Sequence, residues 1–147
     1  MQSYKDLEVY KLAHSLAVEI HKMALKLPHF ELYEEGSQIR RSSKTIPANI
    51  VEGFGRKRYK LDYIKFLIYA HSSCNETIEH MELLYETDSL KDKKIFDYFM
   101  EEYDKLGRKL NIFIEAVVKG YILMSQDARP KTHDALDAYR KRRQLLA

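Results

Sequence analysis

A chain of 147 residues is the usual size of one domain and buries a full core without disulfides or a structural metal. Apolar residues at 45%, charged residues at 32%, five Gly and three Pro favour long helices and exclude disordered, collagen-like and turn-rich β chains. The lone cysteine, Cys74, excludes an internal disulfide and a multi-cysteine zinc site; with a polar start and no unbroken apolar run of about 18 residues, a soluble, cytoplasmic protein is expected, without a membrane span.

The first helix is predicted from about Asp6 to Leu27, where Val9, Leu12, Ala13, Leu16, Ile20, Met23, Ala24 and Leu27 recur at three- and four-residue steps and form one apolar stripe. Pro28 ends it, having no amide hydrogen and disfavouring helical geometry in the residue before it. A second helix is expected from about Glu34 to Glu52. Its inward stripe of Ile39, Ser42, Ser43, Ile46, Asn49, Ile50 and Gly53 mixes branched and small residues, which suits close approach of another backbone. Pro47 should kink this helix, and Gly53 and Gly55 on either side of Phe54 should stop it in left-handed geometry.

After the basic turn Arg56-Lys57-Arg58-Tyr59-Lys60, a third helix from about Leu61 to Thr87 carries two neighbouring apolar stripes and therefore needs partners on two sides. A fourth, from about Asp92 to Met124, keeps Ile95, Phe99, Tyr103, Leu106, Leu110, Phe113, Val117 and Tyr121 in register. The expected fold is all-α, an antiparallel up-down four-helix bundle over residues 1–124. Residues 125–147 are expected to form a basic C-terminal tail, or a short extra helix capped by Thr132, with six basic residues against Asp127, Asp134 and Asp137.

The net charge of +3 is small, but it is unevenly spread. From Gln38 to Lys60 there are seven basic residues against Glu52 alone; from Leu61 to Lys105 there are eleven acidic residues against five lysines. A basic region of this kind invites an anionic partner or self-association.

Catalytic signatures are missing. No histidine has a glutamate three residues before it, as a di-iron bundle requires, and Glu76 and His80, four apart, read as a surface contact. His14 and His21 stand two turns apart on the first helix, as solvent-facing or packed residues. Arg129 and His133 miss the spacing of helical ribonucleases, Cys74 falls among core positions, and no phosphate-binding Gly-rich loop occurs. An enzyme is not expected, nor is a metal or any other cofactor.

The stretch Gln38-Ile39-Arg40-Arg41-Ser42-Ser43-Lys44-Thr45-Ile46-Pro47-Ala48-Asn49-Ile50-Val51-Glu52-Gly53 resembles the second-helix hallmark of the bacterial four-helix-bundle family named for 23S rRNA intervening sequences. Thr45-Ile46 stands where that pattern usually has Ser-Ile. Tyr4 to Tyr10 and Phe66 to Glu76 also resemble the family, and the likeness covers roughly Tyr4 to Ile122. It implies a bundle assembled as a ring-like homopentamer and a link to RNA. Related bundles serve as accessory factors of diversity-generating retroelements, which implies DNA or RNA and a reverse transcriptase as possible partners. The resemblance brings no catalytic residues.

Two sets of residues follow. Gln38, Arg41, Asn49, Glu52 and Gly53 are expected to serve structure or assembly, with Arg41 pairing to Glu52 or Glu34. Arg40, Lys44, Arg56, Lys57, Arg58 and Lys60 are the candidates for phosphate contacts, with Tyr59 and Phe54 available either to stack on bases or to pack between helices. The leading expectation is a non-enzymatic homo-oligomeric bundle that binds nucleic acid through its backbone phosphates. The alternative is a protein–protein adaptor or scaffold without nucleic-acid contact.

Overall fold

The computed structural model describes residues 3–124, which form four long helices: α1 (Glu8–Ala24), α2 (Glu35–Gly55), α3 (Lys60–Glu86) and α4 (Lys93–Met124). Short 3₁₀ turns at Tyr4–Asp6 and His29–Leu32 precede α1 and α2, and there is no strand among the described residues. The expected tail at 125–147 lies outside them.

Contacts between helices run antiparallel throughout. Advancing along α2, Glu35 meets His80, Ser42 meets Thr77 and Gly53 meets Tyr63, so the partners move backward along α3. The same reversal joins α3 to α4, with Tyr63 on Phe113 and Tyr85 on Phe96, and α1 to α4, with Glu8 near Lys109 and Glu19 near Tyr98. This is the up-and-down order, and the α2–α3 and α3–α4 connectors, residues 56–59 and 87–92, are too short to carry the chain back along the bundle. α3 buries Ile64, Leu67, Ala70, Cys74, Met81 and Leu84 between α2 and α4, as its two apolar stripes require.

The helix ends differ from expectation in instructive ways. α1 stops at Ala24, a turn before Pro28, with the Leu25 amide still bonded to the His21 carbonyl. α2 continues through Pro47 and through Gly53 to Gly55, and no described glycine has positive φ. Gly53 is therefore no helix stop. A Cβ there would lie 3.0 Å from the Cβ of Phe66 and 3.2 Å from the Tyr63 ring, so its missing side chain is what lets α2 and α3 touch. Ser42, with its hydroxyl 2.8 Å from that of Thr77, continues the same close contact while satisfying both polar groups.

α3 ends at Glu86, and just beyond it Asp88, with a φ of 65°, reverses the chain and lets the Leu90 amide return to the Leu84 carbonyl. Asp92 then caps α4, its Oδ1 accepting from the amides of Lys94 and Ile95.

Candidate nucleic-acid interface

The turn between α2 and α3 lies at one end of the bundle, beside the start of the chain: Phe54 packs edge-on against both Tyr4 and Tyr63. That contact settles the structural role of Phe54, which is a packing residue. Lys57 lays its ammonium 4.2 Å from the centre of the Phe54 ring, and Arg58 and Tyr59 are exposed, Tyr59 at 65%. Lys60 is half-buried.

Arg56 is shared among several neighbours. Its guanidinium donates to Glu52 at 2.9 and 3.1 Å, approaches Asp62 at 3.9 Å and stacks 5.1 Å from the Phe66 ring. Its charge is partly answered inside the chain, although the exposure of all three partners keeps the pairing weak. Glu52 is thus committed to Arg56 and not to Arg41, correcting the expected Arg41–Glu52 pair. The sequence reading missed Lys65, whose ammonium lies 5.2 Å from the same Phe66 ring. Its position one turn past the basic run is the signal that could have found it.

The other two basic candidates stand apart. Arg40 and Lys44 lie 16 and 12 residues before Arg56 on α2, roughly 24 and 18 Å along the axis. Arg40 Nη2 donates to the Leu32 carbonyl at 2.9 Å and so fastens the connector before α2, while its Nη1 is buried without a partner among the described residues. It is a tether of the chain rather than an open cation. Lys44 is exposed on the α1 side, with Nζ 2.9 Å from His21 Nδ1.

The helix-two motif divides by face. Ile39, Ser42, Ser43, Ile46, Ile50 and Gly53 are buried, whereas Gln38, Arg41 and Glu52 are exposed and Asn49 is half-buried. Asn49 was expected on the inward stripe but sits at its margin. The exposed members follow at helical spacing and form one polar stripe along the outside of α2.

At the opposite end, Glu31 is 2% exposed and has both carboxylate oxygens hydrogen-bonded. One oxygen accepts from the Gly36 amide at 2.6 Å, inside the first turn of α2, and the other from Ser89 at 3.1 Å, in the α3–α4 connector. A carboxylate here meets the positive end of α2. Nearby, His80 Nδ1 is 2.6 Å from Glu35 and its Nε2 is 3.3 Å from Glu76, so the expected Glu76–His80 contact is one arm of a three-residue bridge between α2 and α3.

Cys74 is fully buried and donates to the Tyr103 carbonyl; burial first, then the nearby Asp104 charge, push its thiol up to about 12. It is not a nucleophile at neutral pH. No cluster of three or more His, Cys, Asp or Glu suited to a metal occurs among the described residues, and no described helix is long and apolar enough to cross a membrane.

A family model described as 23S rRNA-intervening sequence protein matches residues 5–112. Among solved structures, the chain is similar to a protein of unknown function from the S23 ribosomal protein family of Bacteroides thetaiotaomicron, at 25% identity and a TM-score of 0.66, covering 73% of this chain and 95% of that one. No curated protein matches the sequence.

Proposed function

Because the chain belongs to the 23S rRNA-intervening sequence protein family, we propose that it is a non-enzymatic, homo-oligomeric bundle that binds RNA through backbone phosphates at its α2–α3 turn. The observation that carries this reading is the state of Lys57 and Arg58: both are exposed at one end of the bundle, neither is paired with a carboxylate among the described residues, and the exposed Tyr59 ring follows them. Cations next to an open aromatic ring suit a flexible strand, phosphates on the first and a base on the second. Arg56, Lys60 and Lys65 add to the local field.

A single turn offers few phosphate contacts, so affinity has to come from repetition. In a homopentamer the turn occurs five times, and a strand that engages one copy meets the next at high effective concentration. The polar outer stripe of α2, with Gln38, Arg41 and Glu52, is the proposed assembly surface, its side chains being turned away from the core of their own subunit. The protein would act in the cytoplasm, with a reverse transcriptase as a possible protein partner.

The test is the mass of the full chain in solution with and without labelled RNA, repeated across a salt series. The reading expects an oligomer whose RNA binding falls steeply with salt and is lost in the Lys57→Gln/Arg58→Gln variant while the oligomer persists. Affinity that ignores salt, or survives that variant, rejects it. If the variant instead breaks the oligomer, the adaptor reading takes its place.

A further inference from the structure

The face between α1 and α2 carries a second basic cluster, separate from the turn. His14, Ala17, Val18, His21 and Lys22 of α1 meet Lys44 and Pro47 of α2 around an open surface groove of about 460 Å³. Its floor is apolar: Ala17 and Pro47 are buried and Val18 is 43% exposed. Proline inside a helix removes a ladder hydrogen bond, and here the ring that does so supplies one wall of the groove.

The polar groups around this floor share one character. Lys44 Nζ lies 2.9 Å from His21 Nδ1, and His14 Nδ1 lies 3.4 Å from the Tyr10 hydroxyl. No carboxylate lines the groove. The acids that bracket this part of α1, Glu8 and Glu19, turn toward α4, where they meet Lys109 and Tyr98.

An imidazole that accepts from an ammonium orients it without neutralising it. Lys44 therefore has two further N–H donors to offer, and Lys22 adds a second basic side chain. A positioned ammonium beside imidazole donors and above an apolar floor is complementary to an oxyanion attached to a flat, weakly polar body.

We infer that this groove binds a phosphate-bearing ligand of nucleotide size, with the phosphate at Lys44 and His21 and the base over Ala17, Val18 and Pro47. A free nucleotide and the 5′-phosphorylated end of a strand share this chemistry. The inference does not rest on the turn, which lies roughly 18 Å away along α2.

The experiment follows the histidine ring signals of the isotope-labelled full chain by NMR at low salt. It is titrated with inorganic phosphate, with adenosine monophosphate, and with a short oligonucleotide with or without a 5′ phosphate. His14 and His21 should shift with phosphate, and adenosine monophosphate should bind more tightly than phosphate alone because it also covers the apolar floor. Lys44→Gln should weaken that binding about tenfold, the scale of one charge-assisted hydrogen bond. The Lys57→Gln/Arg58→Gln variant should leave it intact, whatever becomes of RNA binding at the turn.

A response to the phosphorylated but not the unphosphorylated strand identifies a strand end as the ligand; a response to the mononucleotide alone identifies the free nucleotide. The inference is overturned by silence of both histidines at millimolar ligand, by equal affinity for phosphate and adenosine monophosphate, or by shifts unchanged in Lys44→Gln. His21→Asn, which keeps the lysine charge, gives a second variant should Lys44→Gln disturb the spectrum of the fold.

Discussion

The two ends of the bundle treat their polar groups in opposite ways. At the end where α2 begins, polar side chains are spent on the chain itself: Glu31 ties Gly36 to Ser89, Arg40 holds the Leu32 carbonyl, and His80 joins Glu35 to Glu76. At the α2–α3 turn, Lys57, Arg58 and Tyr59 face outward, while Arg56 is drawn back toward carboxylates. Both ends are rich in charge, so composition does not tell them apart. A charge consumed by its own fold marks architecture, whereas a charge left in water is available to a partner.

The sharpest way to break this contrast is Gly36→Ala. The new methyl would overlap the Glu31 backbone carbonyl and displace the carboxylate from the α2 amide. A loss of about 3 kcal/mol, the upper range for overpacking a tight site, is expected in denaturant unfolding. A loss below about 0.5 kcal/mol would mean that this end is no more tied than the other.

At the turn the effect should appear in binding and not in stability. Lys57→Gln with Arg58→Gln should leave unfolding within about 0.5 kcal/mol of the parent and abolish the salt-sensitive RNA binding that the parent shows. A fall in stability larger than that would show that these side chains serve the fold.

A finer test places the boundary between packed and open chain within two residues. Gly53→Ala pushes a methyl against Phe66 and Tyr63 and should cost about 1 kcal/mol, even after the gain in helix propensity. Gly55→Ala meets nothing within 4 Å and should stabilise by about 0.5 kcal/mol. Thermal melts of the two variants moving in the same direction would contradict the structure.

The smallest expected effect belongs to neither end. Burial holds the His71 imidazole below its ordinary value, so the unfolded chain takes up the proton first as pH falls. His71 then contributes stability that is fully present above about pH 6.5 and declines as pH drops below it, through the lower folded-state value. Replacing His71 by Gln should flatten part of the decline between pH 7 and pH 5 in a melting series.

Much of this was legible in the sequence. Four helices, their inward stripes and the division of α2 into a small-residue face and a polar face follow from three- and four-residue spacing alone, because spacing is fixed by the helix itself. Gly53 shows where that reading stopped. Two glycines around a phenylalanine carry a local stop signal, but the contact that decided their role comes from Tyr63 and Phe66, on another helix. Arg40 failed for a similar reason: in sequence it belongs to a basic run, and only folding brings the Leu32 carbonyl beneath it.

The sequence by itself determined the helical architecture, the family and the position of the basic run, since periodicity and motif are properties of neighbouring residues. The tertiary structure alone decided which charges of that run are taken up from afar: Arg40 holds the Leu32 carbonyl and Lys44 faces α1 beside His21, while Lys57 and Arg58 stay open and Arg56 pairs locally with Glu52 one turn before it. The physical reason is that a charge is neutralised or exposed by groups distant along the chain, whose approach no local pattern encodes.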